Sequence, residues 1–97
     1  MPSLMSETVT RHLSIHGRVH GVGFRNYLAY KAEQLHIGGW VRNRLDGSVE
    51  AVVHGAPAAV DTIIECARRG PRAAQVTAVV VSDHHGAYAA FEQRQTE

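Results

Sequence analysis

Apolar and polar residues alternate from Thr8 to His16, and this alternation predicts a first strand. Val9, Leu13 and Ile15 fall on one side of such a strand. The other side carries polar residues at every second position: Thr10, His12, Ser14 and His16. Successive side chains of a strand point to opposite faces of the sheet. The pattern therefore indicates a strand with one buried face.

The spacing of apolar residues becomes helical in two later segments. The first predicts a helix of about eleven residues that ends before Gly38, and its apolar positions are Phe24, Leu28, Ala32 and Leu35. The second predicts a helix that begins near Pro57 and ends at Gly70, with an apolar stripe of Val60, Ile63, Ile64 and Ala67. Proline is favoured in the first turn of a helix, and glycine just after the last turn.

Four further segments have the composition of strands. They are Trp40–Arg44, Val49–Gly55, Val76–Ser82 and a short final strand at Tyr88–Arg94. Asp46-Gly47, between the first two, is a typical hairpin turn. The order is strand, helix, strand, strand, helix, strand, with one short strand added. This βαββαβ order predicts an α+β, ferredoxin-like two-layer sandwich, with both helices on one face of a mostly antiparallel sheet.

The composition fits one small folded domain. The chain has 97 residues, of which 44% are hydrophobic, and we assign residues 8–97 to a single domain after a flexible leader at 1–7. The net charge of +1 gives no general attraction to nucleic acid or to a membrane. Cys66 is alone, so no disulfide can form within the chain, and no apolar stretch is long enough to span a membrane. We expect a cytoplasmic monomer.

The segment Gly17–Arg25 carries the clearest functional signal. Three glycines surround a turn that leaves the first strand and enters the first helix, and Arg25 stands at the start of that helix. A helix start has unpaired N–H groups and a partial positive charge. Together with a guanidinium group, such a turn predicts a binding site for a phosphate.

A second motif makes the signal specific. Two blocks of sequence follow Gly17–Arg25, namely Gly39-Trp40-Val41-Arg42-Asn43 and Asp46-Gly47-Ser48-Val49-Glu50. Together with Gly17–Arg25, and at this spacing, they resemble the paired signatures of the acylphosphatase family. The resemblance covers nearly the whole chain after the leader. It implies hydrolysis of the carboxyl–phosphate bond of small acyl phosphates, without a metal or another cofactor.

The resemblance also implies the roles of individual residues. Arg25 matches the catalytic, phosphate-binding arginine of the family, and Asn43 matches its catalytic asparagine, which orients the attacking water. The phosphate cradle matches the backbone of His20, Gly21, Val22, Gly23 and Phe24. Because these groups contact phosphate and water and little else, loose selectivity for the acyl group is expected.

Three residues depart from the family pattern. His20 stands where glutamine is usual; the change is neutral if only its backbone N–H binds, whereas a side chain at the ligand would add a pH dependence. His36 replaces a glycine at a position that we expect to be left-handed. Arg44 replaces a small hydroxyl residue, and its charge either alters substrate preference or is simply solvated.

Other interpretations of the sequence remain open at this stage. A non-catalytic anion-binding or interaction module on the same fold is the main alternative. RNA binding is disfavoured because the third strand lacks aromatic residues for base stacking. The spacing of His12, His16 and His20 is too wide on a strand to share one metal ion. Trp40 is expected to pack in the core or at its rim, or else to cover the acyl end of a substrate, and Arg42 is expected to be solvated.

Overall fold

The computed structural model describes residues 7–97, and over that span the elements follow the predicted order. They are β1 (Val9–Arg18), α1 (Phe24–Leu35), β2 (Gly38–Asn43), β3 (Val49–Gly55), α2 (Pro57–Arg69), β4 (Gln75–Asp83) and β5 (Phe91–Gln93). The predicted leader at 1–7 lies outside the described residues except for Glu7, which is exposed. No helix within 7–97 is long and apolar enough to cross a membrane.

The strands form a single sheet in the order β4-β1-β3-β2-β5. The neighbours pair antiparallel except β2 and β5, which run parallel. Helix α1 packs over β2 and β5, α2 packs over β1, β3 and β4, and the two helices contact each other. Both helices therefore lie on one face, which confirms the ferredoxin-like prediction.

The core lies between this sheet face and the two helices. Leu13 and Ile15 of β1 are fully buried there, as the alternation predicts. The apolar stripes of both helices also face the core. The helical residues buried there include Phe24, Leu28, Ala32, Val60, Ile63, Ile64 and Ala67. Burying one large apolar side chain stabilises the fold by about 1.5–3 kcal/mol. This packing fixes where α1 begins relative to the sheet, and thus where the glycine-rich turn lies.

Two strands, β2 and β5, begin two or more residues from the predicted position, and β1 runs to Arg18 instead of ending at His16. Strand β2 begins at Gly38 instead of Trp40, because Gly38 and Gly39 pair with β3. A side chain at Gly38 would overlap the backbone carbonyl of Tyr88, so only glycine allows the chain to cross there. Strand β5 is restricted to Phe91–Gln93, since the residues before it pass over the start of β2 instead of pairing along it.

The end of α1 confirms the left-handed backbone that was expected at His36. His36 has φ 56° and ψ 44°, and it is the one non-glycine residue within 7–97 with a positive φ. This conformation lets the N–H of Ile37 donate to the carbonyl of Ala32 at 2.8 Å, which closes the last turn of the helix. Histidine tolerates the conformation less well than glycine.

The sheet face away from the helices carries a charged and aromatic cluster, so the prediction that Arg42 is solvated is wrong. Its side chain is 19% exposed, its Nε donates to Glu50 at 2.8 Å, and it stacks on the ring of Trp40. Arg94 stacks on the same ring. Trp40 lies on the face opposite the core residue Val41, since neighbouring side chains of a strand alternate. It packs between two guanidinium groups and does not face the turn after β1.

Glu50 is the centre of this cluster. Its carboxylate accepts hydrogen bonds from His12 at 2.7 Å, Arg42 at 2.8 Å and Arg44 at 3.2 Å. Partial burial alone would raise the pKa of Glu50, but the hydrogen bonds and charges of His12 and Arg42 bring it below its usual value. Arg44 therefore has a carboxylate partner and is not merely solvated.

We expect Glu50→Gln to lower the free energy of unfolding by about 1–2 kcal/mol at neutral pH. Because the folded-state pKa is lowered, ionised Glu50 stabilises the fold above its unfolded pKa, and this contribution is lost as the pH falls through the folded pKa. Urea denaturation of both proteins should therefore show a difference that shrinks toward about pH 3.

Glu65→Gln is the matched control, because Glu65 is exposed and, among residues 7–97, forms an ion pair only with Arg68, one helical turn away. It should change stability little at either pH. An equal loss in both variants, or a Glu50→Gln loss that does not depend on pH, would contradict the role given to the cluster.

Candidate active site

The turn between β1 and α1 is held at both ends by buried side chains. Val19 and Phe24 are almost fully buried in the core, and residues 20–23 bend between them. Gly21 and Gly23 have φ values of 69° and 77°, which side-chain-bearing residues rarely adopt. A Cβ at either glycine would meet no atom within 4 Å, so open space lies against this part of the backbone.

A pocket of about 110 Å³ lies beside this turn. It brings Arg25 and Asn43 together, although 17 residues separate them in the chain. Its lining consists of Val19, Gly21, Gly23, Phe24, Arg25, Asn26, Asn43 and Gln93. None of these residues is acidic, and within residues 7–97 no carboxylate forms an ion pair with Arg25. The guanidinium group is thus available to an anion.

The first turn of α1 adds backbone donors to the same pocket. The residue before the helix is Gly23, which has no side chain to cap the helix, and the first turn contains no acidic residue. The first N–H groups of a helix have no partner within it and carry the positive end of its dipole. An anion beside Gly23, Phe24 and Arg25 would satisfy donors that have no partner within the helix.

Asn43 is held by the backbone at the end of β2. It pairs with Val49 across the β2–β3 hairpin, and its carbonyl accepts the N–H of Glu97 at 3.2 Å. Asn43 lies on the same sheet face as Val41, two residues before it, which is the face that bears the helices. The predicted Asp46-Gly47 turn forms as expected, and Asp46 accepts the backbone N–H of Ser48 at 2.9 Å.

His20 and Val22, two of the five residues of the predicted cradle, are not among the residues that line the pocket. Val22 packs against the core, and Nε2 of His20 donates to the carbonyl oxygen of Ser48 at 2.7 Å. A carbonyl oxygen only accepts, so Nε2 must carry the proton. His20 thereby ties the glycine-rich turn to the hairpin that carries Asn43, while its own backbone remains part of the turn.

We expect His20→Gln to retain most of the activity, because a glutamine amide can donate to the same carbonyl. His20→Ala removes that hydrogen bond, which is worth about 0.5–1.5 kcal/mol, and should lower kcat/KM about threefold to tenfold. Steady-state kinetics of both variants between pH 5.5 and 8 test this role, with roughly parallel pH profiles expected. A pH dependence that disappears in both variants would instead place the His20 ring at the substrate.

Sequence reasoning missed three residues of the pocket: Val19, Asn26 and Gln93. Nε2 of Gln93 donates to Oδ1 of Asn26 at 2.9 Å, which links β5 to the first turn of α1. Asn26 could have been found, since it follows Arg25 in the same helical turn. The sequence around Gln93 does not predict that this residue reaches the pocket, because its position depends on the parallel pairing of β5 with β2.

The two histidines of β1 do not line the pocket and contact other side chains. His12 contacts Glu50, and Nε2 of His16 lies 2.8 Å from the hydroxyl of Ser14. Within residues 7–97 no three histidine, cysteine, aspartate or glutamate side chains are grouped as metal ligands. Cys66 is partly buried on α2, and its backbone carbonyl accepts the hydroxyl of Tyr27 at 2.9 Å.

Comparisons with known proteins identify the family of the chain. Residues 11–93 match the family model described as acylphosphatase. The chain is 51% identical over 85 residues to an acylphosphatase of Thiobacillus denitrificans, an alignment that covers 88% of this chain and 96% of that protein. It is 48% identical over 87 residues to an acylphosphatase of Cupriavidus necator, covering 90% and 95% of the two chains.

A solved structure agrees in fold as well as in sequence. The structure of an acylphosphatase from Coxiella burnetii superposes with a TM-score of 0.86 at 33% identity. The superposition covers 90% of this chain and 93% of that one.

Proposed function

Because this chain belongs to the acylphosphatase family, we propose that Arg25 and the turn at residues 20–24 bind the phosphate of an acyl phosphate while Asn43 holds the attacking water. The chain is an enzyme of that family and hydrolyses acyl phosphates. The observation that carries the proposed mechanism is the meeting of Arg25, Asn43 and the first amides of α1 in one pocket without a carboxylate. The products are a carboxylate and inorganic phosphate.

The leaving group explains why so few side chains suffice. A carboxylic acid has a pKa near 4, so the carboxylate departs without a proton and no general acid is needed. Phosphoryl transfer passes through a loose transition state that mainly requires alignment and stabilisation of negative charge. A covalent enzyme intermediate is not required either.

Arg25 and the backbone amides provide the charge stabilisation. The guanidinium group can donate two parallel hydrogen bonds to phosphate oxygens. The amides of the turn and of the first helical turn are fixed in place by the buried neighbours Val19 and Phe24. Donors that are already oriented need no rearrangement when negative charge develops, and this is the main source of their effect on the barrier.

Asn43 orients the water. Its carboxamide has an oxygen that accepts and an NH₂ group that donates, so it can bind a water molecule and the phosphate at once. It is not a base at neutral pH, and its role is to hold the water in line with the departing carboxylate. A site that only bound an anion would not need this second group.

Turnover of benzoyl phosphate in the presence of EDTA tests the proposed function. We expect the acyl phosphate to disappear and inorganic phosphate to form in equal amounts without added metal. Stable binding of phosphate without turnover would favour the anion-binding module instead. Loss of activity in EDTA that returns with a metal ion would refute the metal-independent mechanism.

A further inference from the structure

A hydrogen bond between two side chains of the pocket lining joins α1 to the edge strand of the sheet. Nε2 of Gln93, on β5, donates to Oδ1 of Asn26, in the first turn of α1, at 2.9 Å. The two residues are 67 positions apart, and both line the pocket together with Arg25 and Asn43. Both are exposed, and substitutions of exposed residues usually change stability little. The position of this hydrogen bond in the pocket therefore points to a role in the reaction.

Gln93 is held against the strand that carries Asn43. Strand β5 pairs in parallel with β2 and places Gln93 beside Val41, two residues before Asn43. The backbone N–H of Arg94 donates to the carbonyl of Val41 at 2.8 Å, which fixes β5 at this point. Because side chains of a strand alternate, Gln93 lies on the same face as Phe91, which packs against the core below the helices.

The first turn of α1 makes one side-chain hydrogen bond to the sheet among residues 7–97. The hydroxyl of Tyr27 donates to the carbonyl of Cys66 at 2.9 Å, but Cys66 belongs to α2. The other side-chain hydrogen bond of this turn is the one between Gln93 and Asn26. It therefore joins the helical turn that follows the glycine-rich segment to the strands beside the pocket.

The reaction depends on the distance between these two elements. Under the proposed function, Arg25 holds the phosphate at the start of α1, and Asn43 holds the water at the end of β2. Attack requires the water, the phosphorus and the leaving oxygen to lie in line. A displacement of about 1 Å can lower the rate by a factor of about 10². A hydrogen bond that fixes the start of α1 against β5 therefore affects the chemical step.

We propose that Gln93 and Asn26 are positioning residues, whose hydrogen bond sets Arg25 at the correct distance from Asn43. The proposal rests on the proposed function, because it concerns the alignment of the two groups that bind phosphate and water there. Both side chains are neutral amides, so they join the two elements without placing a carboxylate beside Arg25. Since amides do not titrate, their contribution should be the same between pH 5.5 and 8.

A double-mutant cycle on the hydrolysis of benzoyl phosphate tests this role. Gln93→Ala and Asn26→Ala should each lower kcat about threefold to tenfold, while inhibition by inorganic phosphate is retained. The variant that carries both substitutions should be no slower than either single variant, because each one already removes the hydrogen bond. The Tm of every variant should stay close to that of the parent, since both residues are exposed.

Exchanging the two amides provides a rescue. Gln93→Asn shortens the connection by one methylene and should lower kcat as Gln93→Ala does. Combining it with Asn26→Gln restores the total length and should restore most of the parental kcat. Gln34→Ala is the matched control and should leave kcat unchanged. Gln34 is also an exposed glutamine whose Nε2 donates, to the hydroxyl of Tyr30 at 3.3 Å, but both residues lie on α1 outside the phosphate pocket.

Parental kcat in a folded Gln93→Ala protein, or losses that multiply in the double variant, would overturn the positioning role. Phosphate inhibition that weakens in proportion to kcat would also overturn it, because the amides would then bind the anion themselves. Each of these results leaves the proposed function standing. If the parent enzyme does not hydrolyse benzoyl phosphate, the proposed function itself fails, and the positioning role fails with it.

Discussion

Replacing Arg25 with glutamine is expected to reduce kcat/KM for benzoyl phosphate by at least about 10²- to 10³-fold. One oriented donor at a site of developing negative charge typically contributes about 3–4 kcal/mol to the barrier. Arg25 is charged, donates through a two-pronged group, and has no carboxylate partner within residues 7–97 that could compensate for its charge. Its loss should therefore cost at least as much as the loss of one neutral donor.

Binding of inorganic phosphate separates this effect from a general loss of structure. Phosphate binds only the folded protein, so it should raise the Tm of the parent by mass action, and the shift should be much smaller for Arg25→Gln. Arg68→Gln is the control, since Arg68 is exposed on α2 and pairs with Glu65. Unchanged turnover in a folded Arg25→Gln protein would remove Arg25 from the mechanism.

The sequence predicts the layered fold well because its signals are local. Leu13 and Ile15 alternate with polar residues, and the stripe from Val60 to Ala67 has helical spacing; both patterns face the core. Pairing between distant strands has no such signal. Strand β5 has three residues, and its parallel position beside β2 depends on the chain crossing over Gly38, which is a property of the packed structure.

The same distinction applies to the candidate site. Arg25 and Asn43 are identified by motifs, and the fold brings both to one pocket. The side chain of His20 could not be placed from the sequence, because its partner is the carbonyl of Ser48, 28 positions along the chain. The place of Gln93 could not be predicted for the same reason as that of β5: Gln93 reaches the pocket only once that strand lies beside β2.

The two faces of β2 carry residues with different roles: one face contributes to the candidate site and the other to the charged cluster around Glu50. Asn43 faces the helices and the pocket, while Arg42 points to the opposite face and binds Glu50. Arg44, just beyond the strand, binds the same carboxylate. Arg42 and Arg44, which flank Asn43, thus both bind Glu50. Arg25 is the arginine that lines the pocket.

Asn43→Ala is expected to reduce kcat by about 10²-fold or more while leaving the affinity for inorganic phosphate close to that of the parent. Asn43 is proposed to position the water and not to provide the main binding charge, so its loss should appear in the chemical step. Misplacing a reacting group by about 1 Å can cost a factor of about 10². The pairing of Asn43 with Val49 and the bond from Glu97 involve the backbone, so they persist in the alanine variant.

Steady-state rates and phosphate inhibition constants for Asn43→Ala and Arg25→Gln, measured side by side, test this division of roles. Arg25→Gln should weaken phosphate inhibition strongly, whereas Asn43→Ala should lose turnover with phosphate inhibition retained. Asn43→Gln should remain impaired, since its amide group is displaced by one methylene and no longer holds the water in line. If Asn43→Ala instead weakens phosphate binding as much as Arg25→Gln does, Asn43 binds the anion directly, and the water must be held by another group in the pocket.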